Sequence, residues 1–292
     1  VVICSRDESE LGVATTLLRE DGATVHPLVC DVDDADAVAQ MVADVENELG
    51  PVEVAIHVAG IIQVQPLASA SLQDFEDSVR TMLMGPVHLA LAVLPGMRER
   101  RRGRIGTVAS IGGAVSVPHL LPYSTAKFGA VGFARGLSAE LVGTGVTSTA
   151  ILPGLMRTGS HLNAQFGGDA AAEYAWFAPG ASLPLVAMDA ERAAERIVSG
   201  VLAGRNQVVL TPLAKIGMRV AGLAPSLTTT AMKALAAVLP NAPESSGPLV
   251  DGHTARDRLD SPVVERLTTL GTRAAKRLNQ FHQKNSHGKA AS

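Results

Sequence analysis

Tyr123 and Lys127 stand four positions apart in the segment PYSTAKFGAVGF, directly after a proline. Four residues is about one helical turn, so a phenol and an ammonium share one face of one helix. An unperturbed phenol, with a pKa of about 10, is a poor base at neutral pH. A neighbouring ammonium favours the phenolate and draws that value toward the working range. Ser110 lies thirteen residues before Tyr123 and closes the run RIGTVAS. A hydroxyl there can hydrogen-bond a substrate oxygen and fix it beside the phenol. A Tyr-x-x-x-Lys pair alone is also what a half-buried ring beside a snorkelling amine looks like. The spacing with Ser110, on an alanine-rich helix, selects the proton-transfer reading.

Such a site needs elements that bring the three side chains together. Short β-branched runs at Val1–Ser5, Val25–Cys30, Val52–Val58, Arg104–Ser110, Val146–Leu152 and Gln207–Thr211 predict strands, most of them apolar throughout, as in sheets covered on both faces. Helical periodicity recurs between them. Leu11, Ala14 and Leu18 mark one helix, ended by Gly22. Val38, Met41, Val42, Val45 and Leu49 mark a second, with Asp33 as its N-cap. A long third covers about 72–100, and a fourth carries Tyr123 above an apolar stripe of Ala126, Ala130, Ala134, Leu137 and Leu141. A fifth spans about 190–203. The arginines at 98–102 suit the negative end of the third helix as a solvated terminus, a phosphate site being the alternative. This alternation predicts βαβ units: an α/β, doubly wound parallel sheet whose ligand crevice lies at the carboxyl ends of the strands, where Ser110 falls.

The 292 residues are 47% hydrophobic, enough for a large core, with 18% charged residues and a net charge of −3. That balance, with only 3% aromatics, argues against a nucleic-acid partner. Cys4 and Cys30 are too few for a disulfide framework and read as buried thiols, and the eight histidines show no metal-ligand spacing. No secretory signal precedes the first strand, and no apolar stretch reads as long and clean enough to span a bilayer, so the expected location is cytoplasmic. Residues 241–292 hold 8 Lys/Arg against 5 Asp/Glu, with Gly, Ser and Pro interspersed. The division expected is a domain over 1–240 and a basic, flexible extension over 241–292, with one helix around Val263–Phe281.

Several landmarks in order carry a resemblance. Ser110 with YSTAK at 123–127, PGLMRT at 153–158, CDV at 30–32, HVAG at 57–60 and LPGM at 94–97 together resemble the short-chain dehydrogenase/reductase family over residues 1 to about 211. The resemblance implies a Rossmann-type oxidoreductase that uses NAD(P)(H). Tyr123 would be the general acid/base. Lys127 would hold the nicotinamide ribose and lower the tyrosine pKa, and Ser110 would orient the carbonyl. Asp31 and Val32 would flank adenine, Ala59 and Gly60 would let the backbone approach the ribose, and Pro153, Gly154 and Thr158 would contact the nicotinamide end. Ser5 and Arg6 stand where NAD-preferring relatives carry an acidic residue. This arrangement favours NADP over NAD through a guanidinium for the 2′-phosphate, the alternative being an ordinary surface arginine.

The sequence departs from the family pattern in three places. No glycine-rich turn follows a strand and opens a helix, so by alignment of landmarks Val1–Ser5 corresponds to the family's second strand. A central first strand and its cofactor loop are then expected to be missing, from a truncated record or a fragment. Met82 occupies the place of an Asn that supports a proton-relay water, a task its weakly accepting sulfur cannot perform. His57 replaces the first Asn of the Asn-Asn-Ala-Gly motif.

The expected substrate is an apolar ketone or aldehyde and its alcohol, covered by a lid over 155–188 with Met156, Leu162, Phe166, Trp176, Phe177 and Leu185. The rival reading is a non-catalytic scaffold or binding protein that lost its cofactor loop. Leu213, Ile216, Val220 and Leu223 share one side of a helix that also carries Lys215 and Arg219. Such a helix can lie on a membrane surface, or pack against the domain or another subunit. The family likeness also implies a homo-dimer or tetramer built on the helices around 72–100 and 122–142.

Overall fold

The computed structural model describes residues 1–184, 186–243 and 247–280. The parallel strands β1 (Val2–Ser5) and β2 (His26–Val29) flank α1 (Glu8–Glu20), and α2 (Ala35–Glu48) leads into β3 (Val54–His57). A short strand β4 (Gln63–Val64) precedes α3 (Leu72–Val79), a π-helical turn at Arg80–Met84, and α4 (Gly85–Glu99). Then come β5 (Gly103–Val108), α5 (Leu121–Glu140), β6 (Val146–Leu152), β7 (Met156–Arg157), α6 (Ser160–Asn163), β8 (Gln165–Phe166) and α7 (Ala170–Gly180). The chain continues through β9 (Met188–Asp189), α8 (Ala190–Leu202), β10 (Gln207–Val209), α9 (Pro212–Leu223) and α10 (Pro225–Ala236), and closes with β11 (Val250–Asp251), α11 (Gly252–Leu259) and α12 (Pro262–Arg277). All six long predicted strands are present.

The main sheet is parallel and runs β10-β6-β5-β3, with β1-β2 forming a separate parallel pair; among the described residues β1 and β3 are not paired with each other. Alternation along β6 shows why helices cover both faces. Ala150 and Leu152 pack with Ala130 and Ala134 of α5, while Ile151 points the other way into Ala193 and Val201 of α8. Val93 and Met97 of α4 close the core against Ile105 and Val42. Cys30 is buried as expected, but Cys4 is exposed, on a strand that among the described residues is paired along one side only.

Local chemistry sets the helix starts. Asp34, not Asp33, caps α2, its Oδ1 accepting from the amides of Asp36 and Ala37 at 3.0 Å. Asp33 instead accepts from the Thr81 hydroxyl at 3.0 Å. Ser71 and Asp74 form a capping box on α3, and the same carboxylate takes the amides of Gln63 and Gln65 at 3.1 Å, tying β4 to that helix.

Three further expectations are corrected. The long helix is interrupted by its π turn, which directs Thr81 and Met82 inward. The run Leu72–Glu99 does have the length and mean hydropathy (1.3) of a membrane span, although Ala90, Val93 and Met97 on it belong to the core. Residues 250–278 are not a flexible extension: α11 and α12 bury Ala255, Thr268, Gly271 and Ala275, and both helices pack on α7. The expected helix end at Phe281 lies outside the described residues. The arginine run is a solvated helix end, with Arg100 paired to Glu46 at 2.9 Å and Arg102 to Glu53 at 3.3 Å.

Candidate active site

Ser110 sits just past the carboxyl end of β5 as the cap of a short turn, its Oγ accepting from the Gly112 amide at 3.0 Å. Tyr123 is in the first turn of α5, and its side chain hydrogen-bonds Ser110. The two glycines between them allow this approach. A Cβ on Gly112 would lie 2.9 Å from the Tyr123 ring, and one on Gly113 would lie 2.5 Å from the backbone oxygen of Lys127. One turn on, Lys127 is buried, with Nζ 5.7 Å from the centre of the Tyr123 ring and donating to the Val108 carbonyl at 2.9 Å. The three predicted catalytic side chains therefore meet at the carboxyl rim of the sheet.

Burial governs their electrostatics. It pushes the Lys127 pKa down to about 8. It also raises that of Tyr123, against the opposing Ser110 hydrogen bond. The expected lowering of the phenol by the ammonium is thus reversed here: desolvation of the ring is the largest influence on it, and Lys127 aims its charge at a carbonyl.

Gly60, past the end of β3, faces the same place. A Cβ there would sit 3.6 Å from Lys127 Nζ and 3.4 Å from Met82 Sδ, so the buried thioether lies at the inner wall of the site. His57, also buried, packs its ring on Gly85. Its Nε2 has no hydrogen-bond partner among the described residues, and burial, helped by Lys127 and His88, pushes its pKa down to about 4.

A cleft of about 700 Å³ runs alongside, lined by Ser5, Arg6, Asp31, Gly60, Leu162 and His253 among others. Four of the predicted cofactor residues share it. Arg6 forms no salt bridge among the described residues. Val32 lies outside the cleft lining and offers its carbonyl to His88 at 3.0 Å, and exposed Ala59 is outside it too. Pro153 joins the catalytic loop, accepting from the Ile111 amide at 2.8 Å. Gly154 packs on Thr211, where a Cβ would come within 2.3 Å of its hydroxyl, and Thr158 caps a turn by accepting from the Ser160 amide at 3.1 Å. An extended nucleotide fits this geometry at its adenosine and ribose ends; no glycine-rich turn lines the cleft among the described residues.

The lid residues divide. Leu162, Phe166 and Phe177 are buried, the last two in a cluster with Val64, Leu120 and Tyr174, onto which Tyr123 and Trp176 pack. Met156 packs elsewhere, with Ile151 and Val201. Leu185 lies outside the described residues. A polar cluster unforeseen from sequence anchors this lid. The fully buried Glu173 of α7 contacts His119 Nδ1 at 2.8 and 3.0 Å and accepts from the Trp176 indole at 2.6 Å. The available signal was one acid in the otherwise apolar AAAEYAWFA.

The short chain dehydrogenase family model matches residues 1–165. A candidate ketoacyl reductase of Streptomyces coelicolor is 39% identical over 162 residues, 54% of this chain and 61% of that protein. Human 17-beta-hydroxysteroid dehydrogenase 13 is 33% identical over 158 residues, 52% of this chain and 53% of that protein. The chain thus spans little more than half the length of these curated relatives. Among solved structures, an actinorhodin polyketide ketoreductase with NADPH is 30% identical, with a TM-score of 0.64, over 72% of this chain and 85% of that one. A short-chain dehydrogenase from Streptomyces avermitilis shares the fold with a TM-score of 0.66 at 22% identity, over 81% of this chain and 88% of that one.

Proposed function

The chain belongs to the short chain dehydrogenase family, and from that premise we propose an NADP(H)-dependent oxidoreductase that interconverts an apolar ketone or aldehyde with its alcohol. The observation that carries this is the meeting of Ser110, Tyr123 and Lys127 beside Gly60, which itself lines the cleft that holds Ser5, Arg6 and Asp31. The relatives' names, a ketoacyl reductase and a hydroxysteroid dehydrogenase, support a carbonyl or alcohol at an apolar carbon skeleton. Arg6 supports NADP over NAD, since its guanidinium has no competing ion pair among the described residues.

When bound, the nicotinamide supplies or takes the hydride. The residues of this chain do the rest. Ser110 donates its hydroxyl proton to the substrate oxygen and fixes it beside Tyr123. Tyr123 gives its proton to that oxygen in reduction and takes it back in oxidation. A raised pKa keeps the phenol protonated and ready as the acid. Lys127, poised near about 8, can hold a ribose hydroxyl and return a proton to the phenol.

The break between β1 and β3 supports the finer reading of a first strand outside the described residues. A parallel strand set between them would join the two sheets, and a glycine-rich turn at its carboxyl end would face Ser5, Arg6 and Gly60. The proposal assigns the pyrophosphate cradle to that element. For the assembly, a homo-dimer or tetramer is supported by exposed Leu91 on α4 and exposed Phe128 on α5, where Gly132 and Gly136 leave open space for a partner helix. Met82 at the inner wall favours the second reading, a binding protein without turnover.

Titration of the protein with NADPH, followed by cofactor fluorescence, is expected to saturate; a flat response removes the oxidoreductase reading. Tyr123→Phe is expected to lower turnover by about a hundredfold or more with cofactor binding unchanged. Full turnover in that variant removes the mechanism, and saturable binding without turnover in the unmodified protein favours the second reading.

A further inference from the structure

Between Glu195 and Glu244 the chain carries no acidic residue and five basic ones, Arg196, Arg205, Lys215, Arg219 and Lys233. Four of these cations, all but Lys233, line one open cleft of about 730 Å³ beside the edge strand β10, with Glu195 the sole carboxylate on its rim. None of the four forms a salt bridge among the described residues.

Helix α9 supplies two of those cations and has two apolar faces. Ala214 and Met218 pack inward. Leu213, Ile216, Val220 and Leu223 form a second stripe, at spacings of three and four residues, that faces away from the domain; Leu223 is 87% exposed. The structure thus leaves unpacked the stripe that could have covered its own domain. Leu227, on α10, is exposed as well. Lys215 and Arg219 lie on the flank of the stripe, where long basic side chains can keep their heads at the level of phosphates while the apolar residues sink below them.

We propose that α9 and the basic cleft behind it dock on an anionic lipid surface. The apolar stripe enters the acyl boundary, and the cleft receives the headgroup phosphates. Charge selects this occupant over a second copy of the chain. A two-fold contact through α9 would set Lys215 and Arg219 against their own copies, with no acid from Arg196 to Pro243 to offset them. The same helix abuts the loop that follows Ser110, since a Cβ on Gly217 would lie 3.9 Å from Val115, so docking would hold the catalytic rim close to the lipid.

Flotation of the full chain with vesicles of equal parts phosphatidylcholine and phosphatidylserine, against phosphatidylcholine alone, tests this. Binding is expected only to the anionic vesicles and should weaken as salt is raised. The exposed substitutions Lys215→Glu with Arg219→Glu, and separately Ile216→Asp with Leu223→Asp, are each expected to lower binding about tenfold or more, with the circular dichroism and the NADPH titration unchanged. Equal binding to both vesicle types, no binding to either, or variants that bind as well as the parent would overturn the proposal. So would a concentration-dependent dimer that disappears in the Ile216 and Leu223 variant.

Discussion

Lys127 Nζ lies 5.7 Å from the centre of the Tyr123 ring and donates its proton to the Val108 carbonyl, not to the phenol. The pair shares a helical turn, and burial moves their pKa values apart, the amine down to about 8 and the phenol up.

This burial has a cost that can be measured. Folded Lys127 keeps its proton only to about pH 8, against an ordinary 10.5. Between those values the unfolded chain binds more protons, so stability rises with pH; the penalty is fully present below the lower value and gone above the upper. Lys127→Met is expected to raise stability near neutral pH by up to about 3 kcal/mol, to flatten that rise, and to abolish turnover. Urea unfolding of both proteins from neutral pH to just below pH 10, short of the opposing Tyr123 titration, checks it; a variant less stable at neutral pH would contradict the idea.

Acid should unfold the protein early. Burial pushes both His57 and His161 down to about 4 from 6.5. Below 6.5 the unfolded chain takes up protons that the folded chain refuses, so stability falls as pH drops from 6.5 to 4, by about 3 kcal/mol for each ring. Replacing His161 by Leu is expected to remove about half of this slope in a pH series of denaturant midpoints. An unchanged slope would show that His161 titrates normally.

The glycines beside Ser110 should be separable by position. Gly113→Ala would place its Cβ 2.5 Å from a backbone oxygen of α5 and 2.8 Å from Val131. The loop must shift, at a cost of about 1–3 kcal/mol and about a hundredfold in turnover through misplacement of Ser110. Gly132→Ala, one face away with nothing within 4 Å, is expected to leave turnover intact and to stabilise α5 slightly. Equal effects from the two substitutions would refute the steric account.

Removing the lid's buried carboxylate should be severe. Glu173→Ala strands the Trp176 indole and the His119 ring together, and is expected to cost about 3 kcal/mol or more. Glu173→Gln, which can still accept from the indole, should lose less. Thermal melts of the two variants decide this, and a harmless alanine would mean that the cluster does not anchor α7.

What the sequence determined by itself was whatever a few residues of period or spacing can encode. The six strands follow from short β-branched runs, and the meeting of Ser110, Tyr123 and Lys127 follows from one strand end and one helical turn. Ser5, Arg6 and Asp31, singled out by the family likeness, line one cleft because each stands at or just past the end of a parallel strand. Only the tertiary structure decided the rest. His119 meets Glu173 across 54 residues of chain, a distance no local pattern spans. A basic, glycine-containing composition hid the packing of α12, which rests on close contacts at Gly271, against Ser182 and His161, and at Ala275, against Gly159. The phenol's raised pKa reverses an expectation drawn from charge alone, because desolvation depends on everything packed around the ring and spacing records only its nearest neighbour in sequence.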